Sequence, residues 1–105
     1  MIKTIFGTQI PKNVIYAITN AETDKVYIGK TVGDVSKRWT EHIKTSLGIG
    51  SIKKNMIHEA LFGNWDKFYF TIVEEVKEGS LGEREKYYVS MFESNKYGYN
   101  EKGGG

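Results

Sequence analysis

The sequence contains no cysteine. That excludes a disulfide framework and a thiolate-bound zinc site, and nothing in the residue usage points to an oxidising compartment. Proline occurs once, at Pro11, ahead of the first strand-like segment, so no element is interrupted by a missing amide donor. No apolar run approaches bilayer-spanning length, and the N-terminus lacks an apolar stretch followed by a small-residue cleavage site. A soluble intracellular, cytoplasmic protein is the expectation, with no membrane partner. Charge of one sign is also nearly missing. Fifteen Lys and Arg against 13 Asp and Glu leave a net charge of +2, too little by itself to indicate a polyanionic partner. At 105 residues the chain has room for one compact domain and one site.

What is present is unevenly distributed. Lys25, Lys30, Lys37, Arg38, Lys44, Lys53 and Lys54 make the first half cationic, while acids gather at Glu74, Glu75 and Glu78. Val14 to Thr19 reads as a strand with Val14, Tyr16 and Ile18 on one face. The polar stretch Asn20 to Lys25 turns the chain, and Val26 to Gly29 returns as its hairpin partner. An odd difference between paired residue numbers places Tyr16 and Tyr27 on the same side. Asp34 or Ser36 caps a helix whose buried stripe is Val35, Trp39 and Ile43, with Arg38 and His42 one step round. Gly48 and Gly50 end it. Ser51 caps a second helix with Ile52, Met56, Ala60 and Leu61 buried, closing at Gly63. Phe68 to Val76 supplies a third strand, and Trp39, Phe62, Trp65 and Phe70 are expected to build the core.

The last helix departs from its own pattern. Ser80-Leu81-Gly82-Glu83 has capping-box spacing, and Leu81, Glu85, Tyr88, Val89 and Phe92 then share a stripe, with Glu83, Arg84, Lys86 and Glu93 off it. Periodicity asks for an apolar residue at position 85 and the chain supplies a carboxylate. A charge on a core-facing stripe is costly unless it is paired or holds a cation. A neighbouring Lys or Arg meets that need as well as a metal does.

Taken in order, Val14-Ile15-Tyr16, Tyr27-Ile28-Gly29-Lys30-Thr31, Arg38-Trp39 with His42, Gly63, Glu83-Arg84-Glu85-Lys86-Tyr87-Tyr88 and Gly98-Tyr99-Asn100 resemble the catalytic domain of GIY-YIG nucleases. The spelling is most similar to phage-type and homing endonucleases. The resemblance implies an α+β fold, a small three-stranded antiparallel sheet flanked by helices. It implies an N-terminal arm over residues 1–13, the nuclease domain over 14–100 and a flexible glycine-rich tail over 101–105. Carried over position by position, the catalytic set is Tyr16, Tyr27, Arg38, His42, Glu85 and Asn100, with Glu85 the metal ligand and Lys30 a less certain substrate contact.

The implied activity is metal-dependent hydrolysis of DNA to 5′-phosphate and 3′-hydroxyl ends, with Mg²⁺ or Mn²⁺ as cofactor. Glu85 is a hard oxygen donor suited to such an ion, and Arg38 offers a forked cation to phosphate oxygens. One of Tyr16 and Tyr27 is the base, helped by metal, Lys30 or His42, because an ordinary phenol is protonated at neutral pH. The residues do not choose between them. Two departures stand out. Val14 replaces a common glycine, and Leu47-Gly48-Ile49-Gly50 lacks a second histidine found in some homing members, with His58 too late in the next helix to be taken as its replacement. A single site implies nicking, or a homodimer on DNA for double-strand cuts; no obligate protein partner is indicated. The competing expectation is a non-cleaving nucleic-acid-binding or interaction module on the same fold.

Overall fold

The computed structural model describes residues 13–50, 52–77 and 79–101. The expected arm up to residue 12, the proposed cap Ser51 and the tail from residue 102 lie outside them. The described chain forms a three-stranded antiparallel sheet, β1 (Val14–Asn20), β2 (Val26–Thr31) and β3 (Phe68–Glu75), in the order β2-β1-β3. Between the strands lie helices α1 (Val35–Ser46) and α2 (Met56–Leu61), and after them α3 (Leu81–Phe92) and the short α4 (Ser94–Tyr97). This is the expected α+β architecture. Among the described residues no helix is long and apolar enough to cross a membrane.

β1 is central and buried on both faces from Val14 to Thr19, which is why it is nearly continuously apolar rather than alternating. Tyr16 pairs with Gly29 and Ile18 with Tyr27, so the two tyrosines do project from one face. That face, with Val14 and Ile18, packs on Val35 of α1, Ile57 and Leu61 of α2, and Phe68 and Phe70. The opposite face, Ile15, Ala17 and Ile28, packs on Val76 and on Val89 of α3.

Several local expectations shift by a residue. Asp34 does cap α1, its Oδ1 accepting from the Ser36 amide at 2.8 Å. The buried stripe of α1, however, is Val35, His42, Thr45 and Ser46, with Trp39 and Ile43 only half-buried. The helix is rotated so that His42, whose two ring nitrogens both find partners, faces the sheet. α2 begins at Met56 after Asn55, which changes its phase: Ile57, His58 and Leu61 are buried and Met56 is exposed. Phe62 and Trp65 are 61% and 53% exposed rather than in the core. They sit in the turn around Gly63 and the 3₁₀ turn Trp65–Lys67, and Phe68 and Phe70 fill the space instead. Ser80 makes no capping hydrogen bond with its side chain, so the expected capping box is not formed. Phe92 is exposed at the end of α3. Arg84, expected to be solvated, grips Glu74 through Nε and Nη2, and Tyr88 donates to the same carboxylate at 2.6 Å.

Candidate active site

The site grows from the β1-β2 pair. Tyr16 lies flat against Phe70, ring centroids 4.7 Å apart, and its hydroxyl end extends over Gly29 of the neighbouring strand. A Cβ on Gly29 would overlap the Tyr16 ring and hydroxyl, so glycine is required there by close approach. Tyr27 stands beside it, centroid to centroid 6.4 Å.

α1 brings two groups to the Tyr16 hydroxyl. Arg38 Nε donates to it at 3.3 Å, and His42 Nε2 lies 2.7 Å away. These residues are one turn apart on α1, as four-residue spacing allows. The other nitrogen of His42, Nδ1, is 2.8 Å from His58 Nε2. The two imidazoles stack with centroids 5.0 Å apart, and both residues are 1% exposed. His58 Nδ1 in turn accepts the Asn55 backbone amide at 2.9 Å.

Electrostatics follow from burial. Desolvation raises the Tyr16 phenol, with Tyr27 adding to it, while the Arg38 charge and hydrogen bond pull it down. Tyr27 is raised by burial and then by Glu85, again opposed by Arg38. His42 is pushed down to about 3, first by burial and then by His58 and Arg38, and His58 is lowered by burial, Arg38 and Lys54. Both imidazoles are therefore neutral at pH 7.

Glu85 comes from α3, on the opposite face of the sheet, and reaches the site at the β2 edge. It is 8% exposed, and Lys30 of β2 donates to its Oε1 at 3.0 Å. Its charge is felt by both tyrosines. A model of the GIY-YIG catalytic domain matches residues 12–99. The chain belongs to the GIY-YIG family. Two solved structures agree, both of the I-TevI catalytic domain. The chain is 29% identical to the catalytic domain of homing endonuclease I-TevI, with a TM-score of 0.72 over 86% of this chain and 98% of that one. A form of the intron endonuclease I-TevI domain with one glutamate changed to alanine gives 29% identity and a TM-score of 0.71, over 85% and 92% of the chains. A comparison with curated protein sequences finds no match.

The chain thus carries a nuclease domain, and the donor set of the candidate site bears on which metal would fit it. Among the described residues no three His, Cys, Asp or Glu side chains cluster as a metal cage. A lone carboxylate with an exchangeable ammonium partner fits a hard cation completed by water and phosphate oxygens, the habit of Mg²⁺. It does not fit zinc, which takes several protein ligands.

Asn100 is not presented to the tyrosine hydroxyls. It is fully buried, and its amide brackets Ile28: Oδ1 accepts from the Ile28 amide at 2.7 Å and Nδ2 donates to the Ile28 carbonyl at 2.9 Å. β2 is an edge strand, and this side chain completes its outer hydrogen bonds between Tyr27 and Gly29. His58 is the residue that sequence reasoning passed over. Its signal is Asn55-x-x-His58, capping-box spacing with His in the place of Glu or Gln; the side chain reaches back to the Asn55 amide as that motif requires.

Proposed function

We propose that this domain is a divalent-metal-dependent DNA endonuclease leaving 5′-phosphate and 3′-hydroxyl ends, in the manner of the cutting module of a homing or phage-type enzyme. The observation that carries the reading is the convergence of His42 Nε2 and Arg38 Nε on one tyrosine oxygen, within 2.7 and 3.3 Å, with the Glu85 charge acting on the same phenol. A phenol oxygen that accepts from the permanent charge of Arg38 is prepared to carry negative charge. Tyr16, once its own phenolic proton has been released to solvent, is therefore the better candidate for the base that takes a proton from the attacking water, with Tyr27 orienting that water. Burial opposes the phenolate, and the Arg38 charge and hydrogen bond oppose burial.

Arg38 holds a permanent charge and unused guanidinium donors for the nonbridging phosphate oxygens, where charge grows in the transition state. Lys30, whose side chain is 47% exposed, exchanges Glu85 for phosphate when DNA arrives. Glu85 is the residue that would hold the Mg²⁺ or Mn²⁺. The ion, when bound, supplies Lewis-acid polarisation of the phosphate and charge compensation at the leaving oxygen. Asn100 acts through Ile28, keeping the edge strand and with it Tyr27 in place.

A supercoiled plasmid tests the reading. Nicked circles should appear with Mg²⁺ and not with excess chelator, and the new ends should be labelled by a 5′ kinase only after phosphatase treatment. Intact plasmid under both conditions, across several substrates and with Mn²⁺ as well, would leave the non-cleaving binding module as the better account.

A further inference from the structure

Two histidines occur in the chain, and both are buried in one hydrogen-bonded file behind Tyr16. The file begins at a group with no choice of role. The Asn55 backbone amide can only donate, so His58 Nδ1, 2.9 Å away, must carry no proton. A neutral His58 then has its hydrogen on Nε2 and donates it to His42 Nδ1, at 2.8 Å. His42 Nδ1 is in turn unprotonated, so the His42 hydrogen is on Nε2, aimed at the Tyr16 oxygen 2.7 Å away. Each step admits one tautomer. A cation at either ring would set two N–H groups against each other or against the Asn55 amide.

We propose that His58 is a positioning residue for the nuclease reaction, anchored by the Asn55 amide and fixing His42 as the Nε2–H tautomer that donates to Tyr16. The proposal deepens the functional reading above and rests on Tyr16 as the base. His42 is then a donor to the phenol oxygen and not the acceptor of its proton. With Arg38 on the same oxygen, the O–H of Tyr16 is directed away from both and the phenolate finds two donors already in place. A second-layer partner that sets the tautomer of an imidazole is a familiar physical device; here the partner is another imidazole locked by a helix N-terminal amide.

The groups that face this file are Arg38 and Lys54 beside the imidazoles, and Tyr27, Arg38 and Glu85 around Tyr16. The two cations disfavour imidazolium and so reinforce the neutral file.

The test uses the full chain with ¹⁵N-labelled histidine, metal-free at pH 7, where two rings give two sets of imidazole signals. Both rings should show a protonated Nε2 and an unprotonated Nδ1. In His58→Gln, an amide can accept from Asn55 and donate to His42, so the His42 tautomer should persist. In His58→Phe, which keeps the stacked ring and loses both hydrogen bonds, His42 should become a mixture of tautomers. Its kcat should fall by about ten-fold with KM unchanged, one lost hydrogen bond to a developing charge, and His58→Gln should recover most of that loss. A wild-type His42 protonated on Nδ1 would overturn the proposal even if no variant folds. So would an unmoved His42 tautomer in His58→Phe, or equal kcat in the Phe and Gln variants. Failure of the base assignment reads differently: Tyr16→Phe would still cut DNA while the wild-type tautomers stand as described.

Discussion

The two long helices each turn a polar side chain toward the sheet, and they treat it in opposite ways. On α1, His42 is sealed: both nitrogens are hydrogen-bonded, at 2.7 and 2.8 Å, and its partners Tyr16 and His58 are themselves buried. On α3, Glu85 has one partner, a lysine ammonium whose side chain is 47% exposed. A fully satisfied buried network is rigid and expensive to break. An ion pair open to water on one side exchanges partners at little cost. The first arrangement suits a group that holds a geometry, and the second suits the role proposed for Glu85, taking up a cation and giving up its lysine.

Glu85→Ala is the strongest way to sharpen that contrast. It should reduce turnover by roughly a thousand-fold or more, the several kcal/mol a metal ion contributes to the transition state. The same change finishes the apolar stripe of α3 and leaves only the half-exposed Lys30 unpaired, so the unfolding midpoint should hold or rise. A folded Glu85→Ala protein that still nicks plasmid would remove the acid from the mechanism.

Arg38→Ala comes next. Arg38 is shared between the phenol oxygen of Tyr16 and Glu41, 3.5 Å from its guanidinium, and it is the cation nearest the candidate base. Its loss should lower kcat by about a hundred-fold, the range for removing one preorganised donor to developing charge, while calorimetry still detects divalent metal. Near wild-type turnover would restrict Arg38 to packing α1 on the sheet.

The contrast between the helices also explains what could be read in the sequence. Glu85 was legible because it breaks an apolar period, and a violated pattern points to its own residue. The strand pairing was legible from the turn between two β-rich segments, and the period-two pleat puts Tyr16 and Tyr27 on one face in the odd register that the strands adopt. His42 obeyed no such signal. Amphipathic periodicity assigned the buried position to Ile43, since an imidazole counts as polar until its partners are known, and those partners lie 26 and 16 residues away. His58 is hidden for the same reason, compounded by the phase of α2: a start at Ser51 puts Met56 on the buried stripe, whereas the start after Asn55 buries Ile57 and His58. Phe62 and Trp65 were assigned to the core because large aromatics usually are. The turn at Gly63, with φ of +75°, sends the chain outward there. Asn100 was matched to a site role by motif, and its actual contacts, two backbone hydrogen bonds to an edge strand, have no local sequence signature.

The smallest effect concerns pH, and it separates the buried imidazoles from the acid held by α3 by window. His42 has a folded pKa of about 3 against an ordinary 6.5, and His58 is lowered as well. Above pH 6.5 the rings are neutral in both folded and unfolded chains, so they impose no pH dependence. Below it the unfolded chain takes up protons that the folded chain refuses, and stability falls by about 1.4 kcal/mol per pH unit for each histidine that stays neutral in the fold. On the α3 side, Glu74 is held below its ordinary 4.5 by Arg84 and Tyr88, so its contribution is present above that value and is lost only as pH falls further. The interval from 6.5 to 5 therefore belongs to the His42 and His58 imidazoles, on α1 and α2, alone of these groups. Urea midpoints should decline across it in the wild type and stay flat in a His42→Gln/His58→Gln double variant. A wild-type midpoint that does not change between pH 7 and 5 would mean that the imidazoles accept protons in the folded state, and the sealed file behind Tyr16 would then be open to water like the acid on α3.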